Sequence, residues 1–212
     1  MSLTLLDWRR RVSELYAVVR EMAEADPGRA HEHWRAGRDA LFASHPESPL
    51  TAPARSTFTG LPVAPYDPAY RFDVSVDPAA QESFEAATGS DGVIGFRRLG
   101  RVELAGLGGL DVWWCTVYGG GVFLPMRDAT SARTSYGGGR YVLDTIKGAD
   151  LGGTSPSPDG AGGRLIVDLN FAYNPSCAYD PAWACPLAPL GNVLAVEVPV
   201  GETLPQPDRL VR

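Results

Sequence analysis

The chain has 212 residues, of which 44% are hydrophobic, which is enough to bury one sizeable core. Its formal net charge is −6, which argues against a nucleic-acid-binding protein, because such proteins normally present a basic face. No stretch approaches the roughly 18 to 20 apolar residues of a membrane span. The charged residues Asp7 and Arg9 follow the first leucines, the reverse of the order in a signal peptide. We therefore expect a soluble, cytoplasmic protein that binds neither nucleic acid nor a membrane.

Residues 1–45 form a predicted N-terminal helical segment. Apolar side chains recur every three or four residues from Leu5 to Met22, as on one stripe of a helix. The helix should stop near Asp26–Gly28, where an aspartate cap and a proline favour a second helix that buries Trp34 and Leu41. The narrow stripe fits packing against either the main domain or the same helix of a second copy. A homodimer through the N-terminal helix is therefore one alternative.

The rest of the chain indicates β structure after a proline-rich segment. Residues 46–69 are expected to be an ordered crossing segment, and residues 70–212 an antiparallel β domain. The low-complexity residues 151–163 are predicted to form a mobile hairpin tip. Together these features predict a mostly β fold, an antiparallel β-barrel or sandwich with an N-terminal pair of α-helices. The predicted strands cover residues 70–76, 93–97, 101–104, 112–118, 121–126, 140–144, 164–169 and 194–198.

A triple glycine beside an arginine, at Tyr136–Tyr141, is the first candidate for binding chemistry. Successive glycine amides can form a concave nest for an anion, and Arg140 can hold a carboxylate or phosphate in a bidentate fork. No lysine and serine or threonine follow, so the motif is not a Walker loop. The competing structural interpretation is a bulge or tight corner that needs glycine. In that interpretation Arg140 pairs with a buried aspartate such as Asp144 or Asp168.

Polar side chains at the end of an apolar strand form the second candidate. Asp168 and Asn170 lie on one face after Leu165–Val167, and Asn174 follows in a turn. A carboxylate in this place can act as a general base or orient a ligand. The alternative is that these groups satisfy the backbone of the following loop, since no nucleophile or electrophile partner is visible.

The cysteines and histidines do not predict a metal site. Cys177 and Cys185 share a proline-rich loop and could form a disulfide or half of a metal site, but free structural thiols are favoured in a reducing cytoplasm. The histidines, His31, His33 and His45, all lie in the helical segment and have no ligand spacing with the cysteines. We expect no metal and no cofactor.

The chain also carries motifs that resemble a known family. The chain resembles the shorter members of that family at Trp34–Arg35, Arg38–Asp39 and His45–Leu50. It differs at Ala132, where glycine is usual, and at Gly191, where glutamate is usual. The resemblance implies a mostly β, intracellular bacterial protein, and it implies no activity. The motifs that resemble the bacterial domain-of-unknown-function family numbered 1684 are Arg127–Thr130, Tyr136–Tyr141, Asp168–Tyr179 and Cys185–Pro189.

These patterns favour a small-molecule-binding β domain with a pocket for an anionic ligand near the glycine loop. Residues 127–141 and 168–186 would form the mouth of the pocket, with Arg140 and the glycine amides on the anion. One alternative is a hydrolase or isomerase that uses Asp168 or Asp128 as its base, with Arg140 stabilising negative charge. Another is an interaction module that dimerises through the stripe on the first helix. The predicted ligand-binding residues are Tyr136, Gly137, Gly138, Gly139, Arg140, Tyr141, Asn170, Tyr173 and Asn174.

Overall fold

The computed structural model describes residues 2–89, 92–154 and 163–204. Most of the low-complexity segment, residues 155–162, lies outside the described residues, so the hairpin tip predicted at 151–163 is described only at its two ends. At the first end, Gly153–Thr154 forms a short strand.

Two long helices open the fold, as the apolar periodicity predicts. Helix α1 spans Leu3–Ala23, and helix α2 spans Pro27–Ser44. The predicted cap of α2 is confirmed, because the Asp26 carboxylate accepts the Arg29 backbone N–H at 3.0 Å. A third, short helix, α3 (Ala52–Ser56), interrupts the proline-rich segment.

The stripe on α1 packs against the rest of the same chain. Leu15, Tyr16 and Val19 are buried, and the Trp34 indole N–H of α2 donates to the Tyr16 hydroxyl at 3.0 Å. A dimer through the same buried positions would have to break this packing. The homodimer itself stays a prediction.

The strands form two antiparallel sheets. The five-stranded sheet has the order β2-β3-β4-β5-β6, and the three-stranded sheet the order β1-β8-β7. Strand β3 is one long strand with a register shift between Arg98 and Gly100, where the sequence suggests two shorter strands. The strands are β1 (Arg71–Ser75), β2 (Ser83–Thr88), β3 (Gly92–Leu104), β4 (Gly108–Cys115), β5 (Gly121–Met126), β6 (Arg140–Asp144), β7 (Gly153–Thr154) and β8 (Arg164–Asp168).

The fold is mostly β with N-terminal helices, and both sheets are open. Within the described ranges β2 and β6 end the larger sheet, and β1 and β7 end the smaller one, so these strands do not close a barrel. The prediction of a strand at residues 194–198 is wrong. There the Leu194 N–H donates to Arg127 and the Val196 carbonyl accepts from Ala129, without a continuous ladder.

One apolar core joins the helices to both sheets. Val19 of α1 and Trp34 of α2 lie in the same cluster as Val112 and Leu143 of the larger sheet and Val167 of the smaller one, and all five side chains are buried. The glycine loop therefore leads into a strand, β6, that is anchored by this core.

Candidate functional site

The glycine loop ends in a close backbone contact. Gly139 has a φ of +94°, and a Cβ there would lie 2.6 Å from the carbonyl oxygen of Met126. Only glycine meets both demands without strain, so this residue fixes how tightly the loop packs on β5. The structural interpretation therefore accounts for Gly139.

Gly137 and Gly138 have a different environment. Their φ values are ordinary, and a Cβ on Gly138 would meet the Tyr136 ring at 2.6 Å and Leu187 at 3.0 Å. Both glycines are partly exposed. Within the described part of the chain, neither of their backbone N–H groups has a hydrogen-bond partner. This partly exposed loop therefore has two adjacent N–H groups without a partner among the described residues.

Arg140 points inward from β6. Its side chain is 2% exposed, and one of its terminal nitrogens lies 2.6 Å from the Asp128 carboxylate. The same guanidinium donates to the carbonyl oxygens of Val198, Val200 and Glu202. Burial lowers the pKa of Arg140, and the negative charge of Asp128 opposes that effect. The guanidinium thus binds this chain's own carboxylate and C-terminal backbone.

The partner of Arg140 is neither Asp144 nor Asp168, the two suggested by the sequence. Asp128 is 4% exposed, and its carboxylate also accepts the Thr130 backbone N–H at 2.6 Å. Asp144 instead lies 3.4 Å from the ammonium nitrogen of Lys147. The two oxygens of Asp128 therefore bind groups of the chain itself, which leaves this candidate base little access to a substrate.

Asp168 lies in a second buried network, at the end of β8. One of its oxygens accepts from the Arg71 guanidinium at 3.1 Å and from the Tyr66 hydroxyl at 3.3 Å. The other accepts from the backbone and side-chain N–H groups of Asn170. Burial raises the pKa of Asp168, and the bonds from Asn170 and Arg71 act in the opposite direction. Asp168 is fully buried, so this geometry favours a structural partner over a base.

Asn170 ties this network to the crossing segment. Its side chain accepts the Asp67 backbone N–H at 2.8 Å and donates to the Asp67 carbonyl at 2.8 Å. The backbone carbonyl of Asn170 accepts a hydrogen bond from the His31 ring of α2 at 3.0 Å. Asn170 is fully buried and therefore joins three segments of the chain.

Asn174 and Tyr173 meet residues that the sequence did not single out as part of a site. The Asn174 backbone N–H donates to the buried Glu202 carboxylate at 3.0 Å, and its side-chain oxygen is buried with no partner in the described part of the chain. Glu202 also accepts from Arg38 at 2.9 Å and from the Tyr179 hydroxyl. The Arg38 guanidinium lies 4.8 Å from the centre of the Tyr173 ring.

A sequence pattern could have indicated Arg38 but not Glu202. Trp34, Arg38 and Phe42 follow one another at spacings of four, so they share a face of α2. The Arg38 guanidinium lies 5.1 Å from the ring centre of Trp34 and 5.1 Å from that of Phe42. That spacing could have indicated a buried arginine. No local pattern in the sequence marks Glu202. The strand predicted just before it, at residues 194–198, does not form, so the sequence provides no correct frame for placing this residue.

The glycine loop and the cysteine segment lie side by side. The Tyr136 hydroxyl donates to the Cys177 sulfur at 3.5 Å, and the Tyr141 hydroxyl donates to the Pro186 carbonyl. Leu187 packs near Gly138, where an added Cβ would lie 3.0 Å from its side chain. We call these two segments, residues 136–139 and 177–188, the glycine–cysteine junction. The structure therefore brings together two of the motifs that the sequence singles out.

The thiols of the junction differ in acidity. The pKa of Cys177 is lowered to about 6, chiefly by a hydrogen bond from Cys185 and further by the one from Tyr136. The same Cys185 interaction, together with burial, raises the pKa of Cys185. Burial also raises the pKa of Tyr136 to about 12, so its hydroxyl keeps its proton at neutral pH. Cys177 is the acidic member of the pair.

A groove of about 310 Å³ lies elsewhere, between α1 and α2. Arg11, Glu14 and His33 are among the residues that line it, and the predicted ligand-binding residues are not. Within the described ranges no helix is long and apolar enough to cross a membrane. No group of three or more histidines, cysteines or acidic residues in those ranges is placed to hold a metal ion.

Comparison with known proteins identifies a family without a known activity. The chain is 29% identical to an uncharacterized protein from Haloarcula marismortui whose structure was determined by solution NMR. The TM-score is 0.56, and the similarity covers 80% of this chain and 89% of that chain. No curated protein matches the chain. The family model described as "Protein of unknown function (DUF1684)" matches residues 56–203, most of the sequence. The chain therefore belongs to the DUF1684 family.

Proposed function

We propose that this chain is a small-molecule-binding protein whose site is the glycine–cysteine junction, and that its ligand carries an anionic group. The observation that supports this most is the pair of unpartnered N–H groups at Gly137 and Gly138. Adjacent backbone hydrogen-bond donors in a partly exposed loop are suited to binding a carboxylate or phosphate oxygen. The Tyr136 ring lies against the same loop, since a Cβ on Gly138 would be 2.6 Å from it, while the Tyr136 hydroxyl donates to Cys177.

In this proposal the amides hold the anion and Arg140 does not. The guanidinium is already paired with Asp128 and with three carbonyl groups, so a ligand would have to displace those contacts in a buried position. Arg140 instead anchors the strand that follows the loop. Tyr141 and Tyr173 lie beneath the junction, with ring centres 5.8 Å apart, and support it from within the fold.

Backbone amide chemical shifts test the proposal directly. In a titration of the ¹⁵N-labelled full chain with inorganic phosphate and with succinate, we expect saturable shifts at Gly137 and Gly138. Gly138→Ala should weaken that binding at least about tenfold, because its Cβ would press on the Tyr136 ring and change the loop. Gly28→Ala is the matched control, since its Cβ would have no neighbour closer than 3.4 Å.

Two outcomes would contradict the proposal. One is the absence of saturable shifts at the two glycines with either probe, in a chain whose spectrum is that of a folded protein. The other is equal binding by the parent and Gly138→Ala. A native mass spectrum of freshly purified protein is the companion measurement, because mass lost on denaturation would identify a retained ligand.

A further inference from the structure

We propose that two copies of this chain associate through an uncovered part of the larger sheet, with Arg97 of each copy paired to Glu85 of the other. This interaction surface goes beyond the proposed ligand binding and does not depend on it. It is also distinct from the predicted dimer through the N-terminal helix, because none of its residues belongs to α1. We call it the bare sheet face, and its residues are Ser83, Glu85, Ala87, Val93, Gly95, Arg97, Trp114 and Thr116.

The helices cover one half of this side of the sheet and leave the other half exposed. Four apolar side chains of β3 and β4 lie in the core that the helices share, Val102, Leu104, Leu110 and Val112. Trp114 follows Val112 by two residues on β4 and lies opposite Arg97 of β3, so both point to that same side. Here the burial ends, because Trp114 is half-buried, and Arg97 and Val93 are exposed.

Apolar side chains give the bare sheet face contact area. Val93 is 64% exposed, and Ala87, its register partner on β2, is exposed as well. The Trp114 indole packs on Gly120, where a Cβ would lie 2.4 Å from the ring. Tyr118, which follows β4, is fully exposed. Exposed apolar side chains that cluster in this way mark an interaction surface.

Arg97 and Glu85 are unpaired charges on this face. The register places Arg97 opposite Ser83 and Glu85 opposite Gly95. The two charges therefore occupy one diagonal of a block of four residues, and two small residues occupy the other. Neither charged side chain has an ion-pair or hydrogen-bond partner within the described ranges.

The other arginines of β3 provide a contrast. Arg98 and Arg101 both bind the Asp111 carboxylate, at 3.0 Å and 2.9 Å. Asp111 is buried, so the charges of these two arginines are used within the fold. The charge of Arg97 is instead available to a group outside the chain.

A two-fold axis makes this block of four residues complementary to itself. When the axis lies between the two copies, close to the line from Ser83 to Gly95, the rotation places Arg97 of one copy over Glu85 of the other. The same rotation places Glu85 of the first copy over Arg97 of the second. Ser83 and Gly95 lie at the axis and have little side-chain volume, so the two sheets can approach each other there. One symmetry operation thus forms two equal ion pairs, and this charge complementarity identifies a second copy as the occupant.

Sedimentation equilibrium of the full chain between about 1 µM and about 500 µM tests the proposal. The mass of the parent should rise with concentration toward twice the 22.7 kDa of the chain. Arg97→Glu should weaken the association at least about tenfold, because it places like charges opposite each other in both pairs. Combining Arg97→Glu with Glu85→Arg should restore the association, since both pairs form again with reversed signs. Both side chains are exposed, so the urea unfolding curves of these variants should match that of the parent.

A matched pair of valine variants separates this face from α1. Val93→Asp should weaken the association, because it places a charge among the apolar side chains of the face. Val18→Asp, at an exposed position on α1, should associate as the parent does. The proposal is overturned if the combined charge reversal fails to restore the association, or if Val18→Asp dissociates the dimer while Arg97→Glu does not. A parent that stays monomeric throughout would assign the face to a different protein or to a small molecule, and it overturns the proposal as well.

Discussion

Replacing Arg140 by methionine should destabilise the protein strongly. Its guanidinium and the Asp128 carboxylate are 2.6 Å apart, with side-chain exposures of 2% and 1%. Removal of one partner leaves a buried charge uncompensated, and the carbonyls of Val198, Val200 and Glu202 lose a donor as well. Loss of one member of a buried ion pair typically costs about 3–5 kcal/mol, so we expect Arg140→Met to lower the free energy of unfolding by that amount.

The chain contains a matched control for this prediction. Arg133 and Glu197 lie 2.7 Å apart, almost the same distance, but their side chains are 68% and 56% exposed. Water screens and solvates such a pair, so Arg133→Met should cost about 1 kcal/mol or less. At nearly the same ion-pair distance, the difference between the two variants therefore reports burial together with the three carbonyl contacts of Arg140.

Urea unfolding followed by circular dichroism measures both variants, with linear extrapolation to water. A double-mutant cycle with Asp128→Asn should give a coupling energy of about 1–3 kcal/mol, because the two side chains are in direct contact. Asp128→Asn removes the same pair from its other side and leaves the buried Arg140 charge uncompensated, so it should be destabilising for the same reason. The reasoning is refuted if Arg140→Met costs no more than Arg133→Met.

Two further predictions concern backbone strain and pH. Ala132 has a φ of 61°, and Ala132→Gly should raise the melting temperature by about 2–4 °C, because relief of the left-handed strain exceeds the added entropy of the unfolded chain. Calorimetry that finds an unchanged or lower melting temperature would contradict this. Burial lowers the pKa of His31 from 6.5 to about 4, so the folded state resists protonation. The stability that neutral His31 contributes is fully present above pH 6.5. It is lost progressively as the pH falls from 6.5 to 4, up to about 3 kcal/mol. Urea titrations at pH 5 and pH 7 should show a smaller difference in stability for His31→Gln than for the parent, and equal differences would exclude His31 as the cause.

The sequence predicts secondary structure well where the pattern of nearby side chains determines it. The spacing from Leu5 to Met22 and the cap at Asp26 predict α1 and α2, because helix periodicity and capping act over a few residues. The same reasoning predicts β6 at residues 140–144, with the bounds that the structure has. Strand β2 was missed because the side chains of Ser83–Thr88 alternate only between exposed and half-buried positions.

Long-range partners could not be predicted in this way. The sequence marks Arg140 as a strong hydrogen-bond donor, but its choice of Asp128 depends on how the preceding loop folds back over β6. The adjacency of Tyr136 and Cys177 likewise joins segments 41 residues apart, and no local pattern encodes it. Of the candidate site, the sequence could therefore identify the motifs, whereas the contacts between them required the fold.

The contacts of Arg140 also bear on the order in which the protein is made and folded. Its carbonyl acceptors lie 58 to 62 residues further along the chain. During synthesis β6 therefore leaves the ribosome well before the segment that satisfies its guanidinium, and closing so long a loop is slow. The core around Arg140 can be completed only after residues 198–202 have emerged. We expect a nascent chain that stops short of them to expose an unfinished β domain and to depend on chaperones until synthesis ends.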